Sequence, residues 1–349
     1  MASTYLKEKG YFTIGIDWIG LWFKKGFDYY GEGKDTNSFY NKIKEVRIVK
    51  KILLNLPSSV YDLGKKVKNT IKPKESLFVS AKSMVDLAIS KINYSKKVGK
   101  PFFLFIHFED THFPYPNVSL PKNNLSGKDD VKRIFEKIKN SSQKEYVKKR
   151  LVDIQLHSLS DIKAKYDLAI SNIDKEIGRL ANNLKKANSW ENTLFIVLSD
   201  HGDSIDEHGI YFSHSGLFDE SFHVPLIIKF PKSRYGGRRI KSFVQNIDIL
   251  PTVLQTIGSK QERYDGKSLI PLIKSGKKIR DKVFLFDGLA EDAIGVRTKD
   301  KKLIVAKKSK CNLCKTEHHK RFEEYDLKKD PKELNDIYSG KSSLMRFLK

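Results

Sequence analysis

The stretch VLSDHGDSIDEHGIYFSHSGLFDESFHVPLII, residues 197–228, decides how this chain is read. It opens at the end of an apolar run, Leu194 to Leu198, which breaks off at Ser199, Asp200, His201 and Gly202. His201, His208, His214 and His223, with a series of carboxylates, precede a second apolar run from Val224 to Phe230. Such a polar, metal-competent loop on a strand end sits where open α/β sheets bind their ligands. A second loop of this kind follows FFLFIHF, residues 102–108, which carries His107. That loop, EDTHFPYP, holds His112 and is interrupted by two prolines. Six of the nine histidines lie in these two regions, a concentration that packing alone does not explain. If the two apolar runs are neighbouring strands of one sheet, their loops face each other across a cleft.

Outward from these loops, strands alternate with helical patterns. Thr4 to Lys9 reads as a short helix, Tyr11 to Ile16 as a strand, and KKGFDYY (Lys24 to Tyr30) as an aromatic turn. Residues 37–100 are mostly helical in pattern, and 128–190 carry lysine-rich amphipathic helices. DILPTVLQTI, residues 248–257, predicts a helix with proline in its first turn. The apolar runs at 102–108 and 194–198 read as buried strands. From about residue 280 the pattern changes to short strands, KVFLF, AIGVRT, KKLIVA and RFEEYDL, which suit a small antiparallel sheet. The expected fold class is α/β, a mixed sheet flanked by helices. The expected division is a main α/β domain over 1–275 and a C-terminal antiparallel α+β subdomain over 276–349.

Bulk properties narrow the classes. At 39% hydrophobic and 31% charged residues over 349 positions, the chain is expected to fold as a soluble globule. No apolar run approaches the length of a membrane span. The N-terminus lacks the apolar core of a signal peptide, so the chain as written is expected to be cytoplasmic. The net charge of +24 raises a nucleic-acid reading. The lysines argue against it, being spread along the chain without interleaved aromatic residues. The charge suits an anionic substrate instead. Two cysteines exclude a disulfide framework. Cys311 and Cys314, with His318 and His319, form either a small zinc site or a polar hairpin tip.

Chemistry is expected at particular residues. Asp200 and His201, adjacent at a strand end, can be aimed at one divalent cation, with calcium, magnesium, manganese and zinc all open. The structural alternative for Asp200 is a cap or turn residue. His112 and His214 are candidates for binding an anionic substrate or protonating a leaving group. His107 can do the same or be packed within its strand, and His208 and His223 read as structural.

At these residues the chain resembles the sulfatase family of the alkaline phosphatase superfamily. SDHGDSIDEHG is similar to the family's second metal motif, and SHSGLFDESFHVPLII to the segment that follows it. HFEDTHFPY resembles the histidine-containing substrate loop. YLKEKGYFTIGI with KKGFDYY, YDLAISNIDKEIGRL with ENTLFIVLSDHG, and RFEEYDLKKDPKELNDIY follow in family order. The resemblance implies an alkaline-phosphatase-like fold and a metal-dependent sulfuric ester hydrolase. A phosphodiester or phosphonate monoester hydrolase, or an inactive anion-binding relative, are the alternatives. It further implies that Asp200 and His201 ligate one divalent metal ion. His112 and His214 would hold sulfate or phosphate oxygens and assist the leaving group, with His107 beside the substrate; many members carry lysine at the position matched by His214. The expected partner is a sulfated or phosphorylated small molecule or glycan. The chain departs from the family in one respect: it contains no C-x-P-x-R or S-x-P-x-R motif, whose Cys or Ser becomes the formylglycine nucleophile. The expectation is therefore a member lacking its N-terminal nucleophile segment, as a fragment, as half of a split enzyme, or as an inactive form.

Overall fold

The computed structural model describes residues 2–18, 24–31, 79–121, 125, 130–259, 264–288, 290, 292–308 and 310–348. The chain begins with α1 (Ala2–Glu8), β1 (Phe12–Asp17), β2 (Tyr29–Gly31), α2 (Ala81–Lys97) and β3 (Phe102–His107). Three helices follow, α3 (Asp130–Lys137), α4 (Ser141–Ile154) and α5 (Leu159–Lys186). Then come β4 (Phe195–Leu198), α6 (Asp219–Phe222), β5 (Leu226–Lys229), α7 (Ile249–Thr256) and α8 (Ile270–Ser275). The antiparallel strands β6 (Lys282–Asp287), β7 (Ala293–Thr298), β8 (Lys301–Ala306) and β9 (Phe322–Asp326) close the order. Of the helical pattern expected over 37–100, residues 37–78 lie outside the described residues. Two compact units are present: Met1–Leu125 with Ala164–Leu184, and Ser126–Lys163 with Lys185–Lys349.

In the first unit, β1 is the centre of a parallel sheet in the order β2-β1-β3. Thr13 to Asp17 are buried throughout, as a strand paired on both sides must be. The aromatic turn expected over Lys24 to Tyr30 instead ends in a strand, with Ile14 opposite Tyr29 and Gly15 opposite Tyr30. Three residues are too few to show an alternation in sequence, so the pairing is set by β1. Gly15 is required there, because a Cβ would lie 2.4 Å from the Tyr30 ring. Helix α2 starts at Ser80, whose hydroxyl accepts the Ser83 amide. It buries Met84, Val85, Ala88 and Ile92 on one face, each large side chain contributing about 1.5–3 kcal/mol.

The second unit holds the antiparallel pair β4-β5 and the four-stranded sheet β6-β7-β8-β9. Along β6, Val283 and Leu285 point inward while Phe284 and Phe286 are exposed, the alternation of a sheet with one wet face. The inner face packs with Ile304, Tyr325 and Leu327 against Ile210, Leu217 and Phe218. The loop that follows β4 is thereby seated on the C-terminal sheet.

The strands expected to be buried, 102–108 and 194–198, are half-buried, with Phe105 and Leu198 exposed. Among the described ladders β3 is an edge strand and β4 has one neighbour, so neither is enclosed on both sides. They also belong to different described sheets, β3 pairing with β1 and β4 with β5. No described helix is long and apolar enough to cross a membrane.

Candidate metal and anion site

The end of β4 is held by Asn246, whose side-chain amide donates to the Ser199 carbonyl at 3.1 Å. Beyond it the backbone turns sharply. Asp200 Oδ1 accepts the His201 amide at 3.0 Å, and the Ser199 hydroxyl donates to the His201 carbonyl at 2.6 Å. Gly202 donates to the Ser221 carbonyl at 2.9 Å. A Cβ on Gly202 would lie 2.0 Å from the Glu220 carbonyl oxygen, so only glycine permits the loop to lie against α6. The next turn is closed by reciprocal amide-to-carbonyl bonds between Ser204 and Ser213, at 2.9 and 3.1 Å. Glu207 fastens its inside, accepting from the amides of Ile205 and Asp206 at 2.8 and 3.0 Å. Burial alone would raise the Glu207 carboxyl, but these amides and the Lys163 ammonium hold it below the usual carboxylate range.

This folding returns His214 to His201. Their rings stack with centroids 4.0 Å apart and planes inclined at 28°. His201 Nδ1 lies 2.8 Å from the Gly202 carbonyl, so Nδ1 carries the proton and Nε2 the lone pair. Asp200 Oδ2 is 3.7 Å from that Nε2, and Asp203 Oδ1 is 3.9 Å from His214 Nδ1. Ligands with bonds of about 2.0–2.2 Å to a tetrahedral metal stand about 3.5 Å apart, so the Asp200–His201 separation suits a shared cation. Carboxylate oxygen with imidazole nitrogen is a donor set for a divalent metal. Asp203, whose position two residues after His201 was its only signal, faces His214 instead.

In the first unit, β3 delivers His107 to the end of β1. His107 Nδ1 is 3.1 Å from Asp17 Oδ1, and the Tyr30 hydroxyl donates to Asp17 Oδ2 at 3.0 Å. Asp17 is fully buried. Its signal in sequence was the same as that of Asp200, a carboxylate closing an apolar run. In the following loop, His112 Nδ1 meets the Phe113 carbonyl at 2.8 Å and Glu109 Oε1 at 3.4 Å. The carbonyl can only accept, so the first contact places a proton on Nδ1.

His208 lies flat on Phe218, with centroids 3.7 Å apart, and its Nε2 is 3.4 Å from Glu220 Oε2. His319, expected beside the two cysteines, is instead buried between Glu323 Oε2 and the Leu217 amide, both at 2.8 Å. An acceptor and a donor on its two nitrogens take it out of that cluster.

The chain is similar to known proteins in sequence and in fold. The Sulfatase family model matches residues 3–259, and a model of the N-sulphoglucosamine sulphohydrolase C-terminal region matches 206–346. A multifunctional alkaline phosphatase superfamily protein of Trinickia caryophylli is 28% identical over 200 residues, covering 51% of this chain and 38% of that protein. An N-acetylglucosamine-6-O-sulfatase of Bacteroides thetaiotaomicron is 32% identical over 181 residues, covering 48% of this chain and 30% of that protein. In both cases the match spans less than half the length of the relative. A protein solved in complex with its substrate D-glucosamine-2-N,6-O-disulfate superimposes with a TM-score of 0.61 at 20% identity. That superposition covers 100% of this chain and 79% of the other. The alkaline-phosphatase-like α/β fold with its C-terminal antiparallel sheet is therefore shared.

Proposed function

Because the chain belongs to the sulfatase family, we propose that it contributes the metal and anion-binding residues of a sulfuric ester hydrolase acting on a sulfated small molecule or glycan. The observation that carries this reading is the gathering of Asp200, His201 and His214 at the end of β4, with the two imidazoles stacked. Asp200 and His201 would hold one divalent cation. When bound, that cation supplies positive charge to the oxygens of the ester group.

The chain's own residues do the rest. His214, beside the ligand pair, binds an ester oxygen and presents a proton donor to it. In the first unit, His112, whose Nδ1 meets the Phe113 carbonyl, is the candidate to hold an ester oxygen or assist the leaving group. His107, tied to Asp17, is a further candidate for substrate contact. The basic balance of the chain attracts the anionic substrate. No nucleophile is assigned among its residues, since neither formylglycine motif occurs in the sequence.

A sulfated glucosamine is the first substrate to try, because a relative bears the name N-acetylglucosamine-6-O-sulfatase. The relative named as a multifunctional alkaline phosphatase superfamily protein favours a phosphate or phosphonate ester as the second reading. Calorimetric titration with glucosamine 6-sulfate and glucosamine 6-phosphate, with and without chelator, tests both, alongside hydrolysis of the corresponding nitrophenyl esters. Chelator-sensitive binding of the sulfate, lost in Asp200→Asn, supports the reading. Binding of neither anion in the metal-loaded protein refutes it.

A further inference from the structure

The connection between β8 and β9 gathers a second set of soft ligands, outside the loop at the end of β4. Cys311 and Cys314 are buried free thiols. Cys314 Sγ lies 3.0 Å from His318 Nε2, and the two sulfurs and the ring nitrogen all fall within 4.8 Å of one another. A tetrahedral zinc with bonds of about 2.3 Å to sulfur and about 2.0–2.1 Å to nitrogen keeps its ligands about 3.5–4 Å apart. A small adjustment of side-chain torsions closes the observed cluster onto such an ion.

The backbone around the first cysteine is shaped for a thiolate. The Leu313 amide points at Cys311 Sγ at 3.4 Å, and the Cys314 amide is directed at the same sulfur. The turn is locked by Lys315 donating to the Cys311 carbonyl at 3.0 Å and Cys311 donating to the Thr316 carbonyl at 2.8 Å. Lys315 takes a left-handed conformation, φ 59°, which swings the chain back toward His318. Amides that donate to a ligating sulfur stabilise its charge and fix its direction, the part that outer partners play around a bound metal. A cystine has no negative charge for these donors to serve.

We propose that Cys311, Cys314 and His318 form a zinc clamp of the C-x2-C-x3-H pattern that closes the β8–β9 connection, which packs against helix α4. Binding replaces the two thiol protons, which pass to solvent, with two zinc–sulfur bonds and one bond to the imidazole. The fourth position borders a cleft lined by Gln143, Tyr146, Tyr211 and Leu313. Tyr146 of α4 packs against the cysteines, and the Asn140 amide that precedes α4 donates to the Lys315 carbonyl at 3.4 Å. Beyond the clamp comes His319, which holds the Leu217 amide three residues after His214. The metal thus braces the segment that carries His214 from behind. This inference stands independently of the hydrolase reading.

The test uses the full chain, loaded with zinc under reductant and desalted. A mercurial reagent is titrated while a zinc-sensitive dye follows release. We expect one zinc freed as two thiols are modified, and a thiolate-to-cobalt absorption band when cobalt replaces zinc. The C311S/C314S variant should lose this zinc and the band. The exposed-site control E317Q should keep both, and the D200N/H201A variant should also keep the mercurial-released ion. No zinc released by the mercurial, recovery of the two cysteines as a disulfide, or an unchanged cobalt band in C311S/C314S overturns the proposal. Should that variant be insoluble, the cobalt spectrum of the unmodified chain decides, and absence of the band overturns it.

Discussion

His201 and His214 stack at 4.0 Å, although thirteen positions separate them, because the Ser204–Ser213 bridge folds the chain back on itself. Stacking places the two imidazoles side by side but leaves them different duties: His201 is set against Asp200, and His214 against Asp203. Their substitutions should separate accordingly. Asp200→Asn and His201→Ala are expected to weaken divalent metal binding by about tenfold or more, since each removes a direct ligand. His214→Ala should leave the metal in place and weaken binding of the sulfated sugar. Metal analysis after dialysis, paired with calorimetry, reads the two effects. Loss of metal in His214→Ala with retention in His201→Ala would reverse the assignment.

Gly202→Ala and Gly178→Ala should have opposite signs. At Gly202 the new methyl meets backbone, the Glu220 carbonyl oxygen, at 2.0 Å. Neither the loop nor α6 can yield without moving Asp200 and His201, so a loss of about 1–3 kcal/mol is expected together with lost metal affinity. At Gly178, within α5, a Cβ meets nothing within 4 Å. Replacing a helical glycine there should stabilise by about 0.5–1 kcal/mol. Urea unfolding of the two variants gives both numbers.

Element types were legible where the pattern was long. The apolar run FFLFIH, the amphipathic lysine-rich helices and the four short C-terminal strands could all be read from their pattern. The strand Tyr29–Gly31 did not, because three residues carry no period and its partner supplies the pairing. At the site, Asp200, His201 and His214 stood out as metal- and anion-binding types in a strand-end loop. What sequence could not give was distance. The approach of His214 to His201 depends on a bridge between two serines, and the role of Asp17 depends on a histidine ninety positions away. Lys302 was hidden most completely. In KKLIVA a lysine reads as solvated, yet its ammonium is fully buried among groups from distant segments.

That buried ammonium makes a sharp stability test. Lys302 Nζ lies 2.6 Å from Asp219 Oδ1, 2.5 Å from Glu333 Oε1 and 3.1 Å from the Leu217 carbonyl. Arg297 completes the network with a 2.8 Å contact to Asp219 Oδ2. Lys302→Met removes the central cation, leaving the Glu333 carboxyl buried without a cation and Asp219 with Arg297 alone, so a loss of about 3–5 kcal/mol is expected. Lys301→Met, the same change at the neighbouring, half-exposed side chain, should cost less than about 1 kcal/mol. Equal costs for the two would mean that the buried network contributes nothing beyond its packing.

Asp219 also sets a pH dependence. Burial by itself would raise its carboxyl, but Lys302 and Arg297 outweigh that and hold it below the usual value of 3.8. A carboxyl whose folded pKa is depressed contributes stability that is fully present above the unfolded value and is lost as pH falls through the folded one. The contribution should therefore be constant above about pH 5 and fade below about pH 4. Asp219→Asn should be less stable than the unaltered chain at pH 6, with the gap narrowing as the pH is lowered toward 3. Urea midpoints collected across that range read the gap directly, and a gap that widens on acidification would contradict the assigned direction.

Tyr30 and His107 both converge on Asp17, the buried carboxylate that ends β1, with the hydroxyl at 3.0 Å and the imidazole at 3.1 Å. A buried carboxylate deprived of one donor bears the cost of that unmet hydrogen bond, so Tyr30→Phe should destabilise by about 1–3 kcal/mol with little change in packing volume. His107→Ala should cost more, because it removes a donor and also the ring that lies 6.3 Å from Phe105. If His107 is a substrate contact as well as a partner of Asp17, its substitution should weaken sulfated-sugar binding, whereas Tyr30→Phe should leave that binding close to its original value. Thermal unfolding and calorimetric titration of the two variants separate the roles. Equal losses of binding in both would show that Asp17 and its donors act through the fold alone.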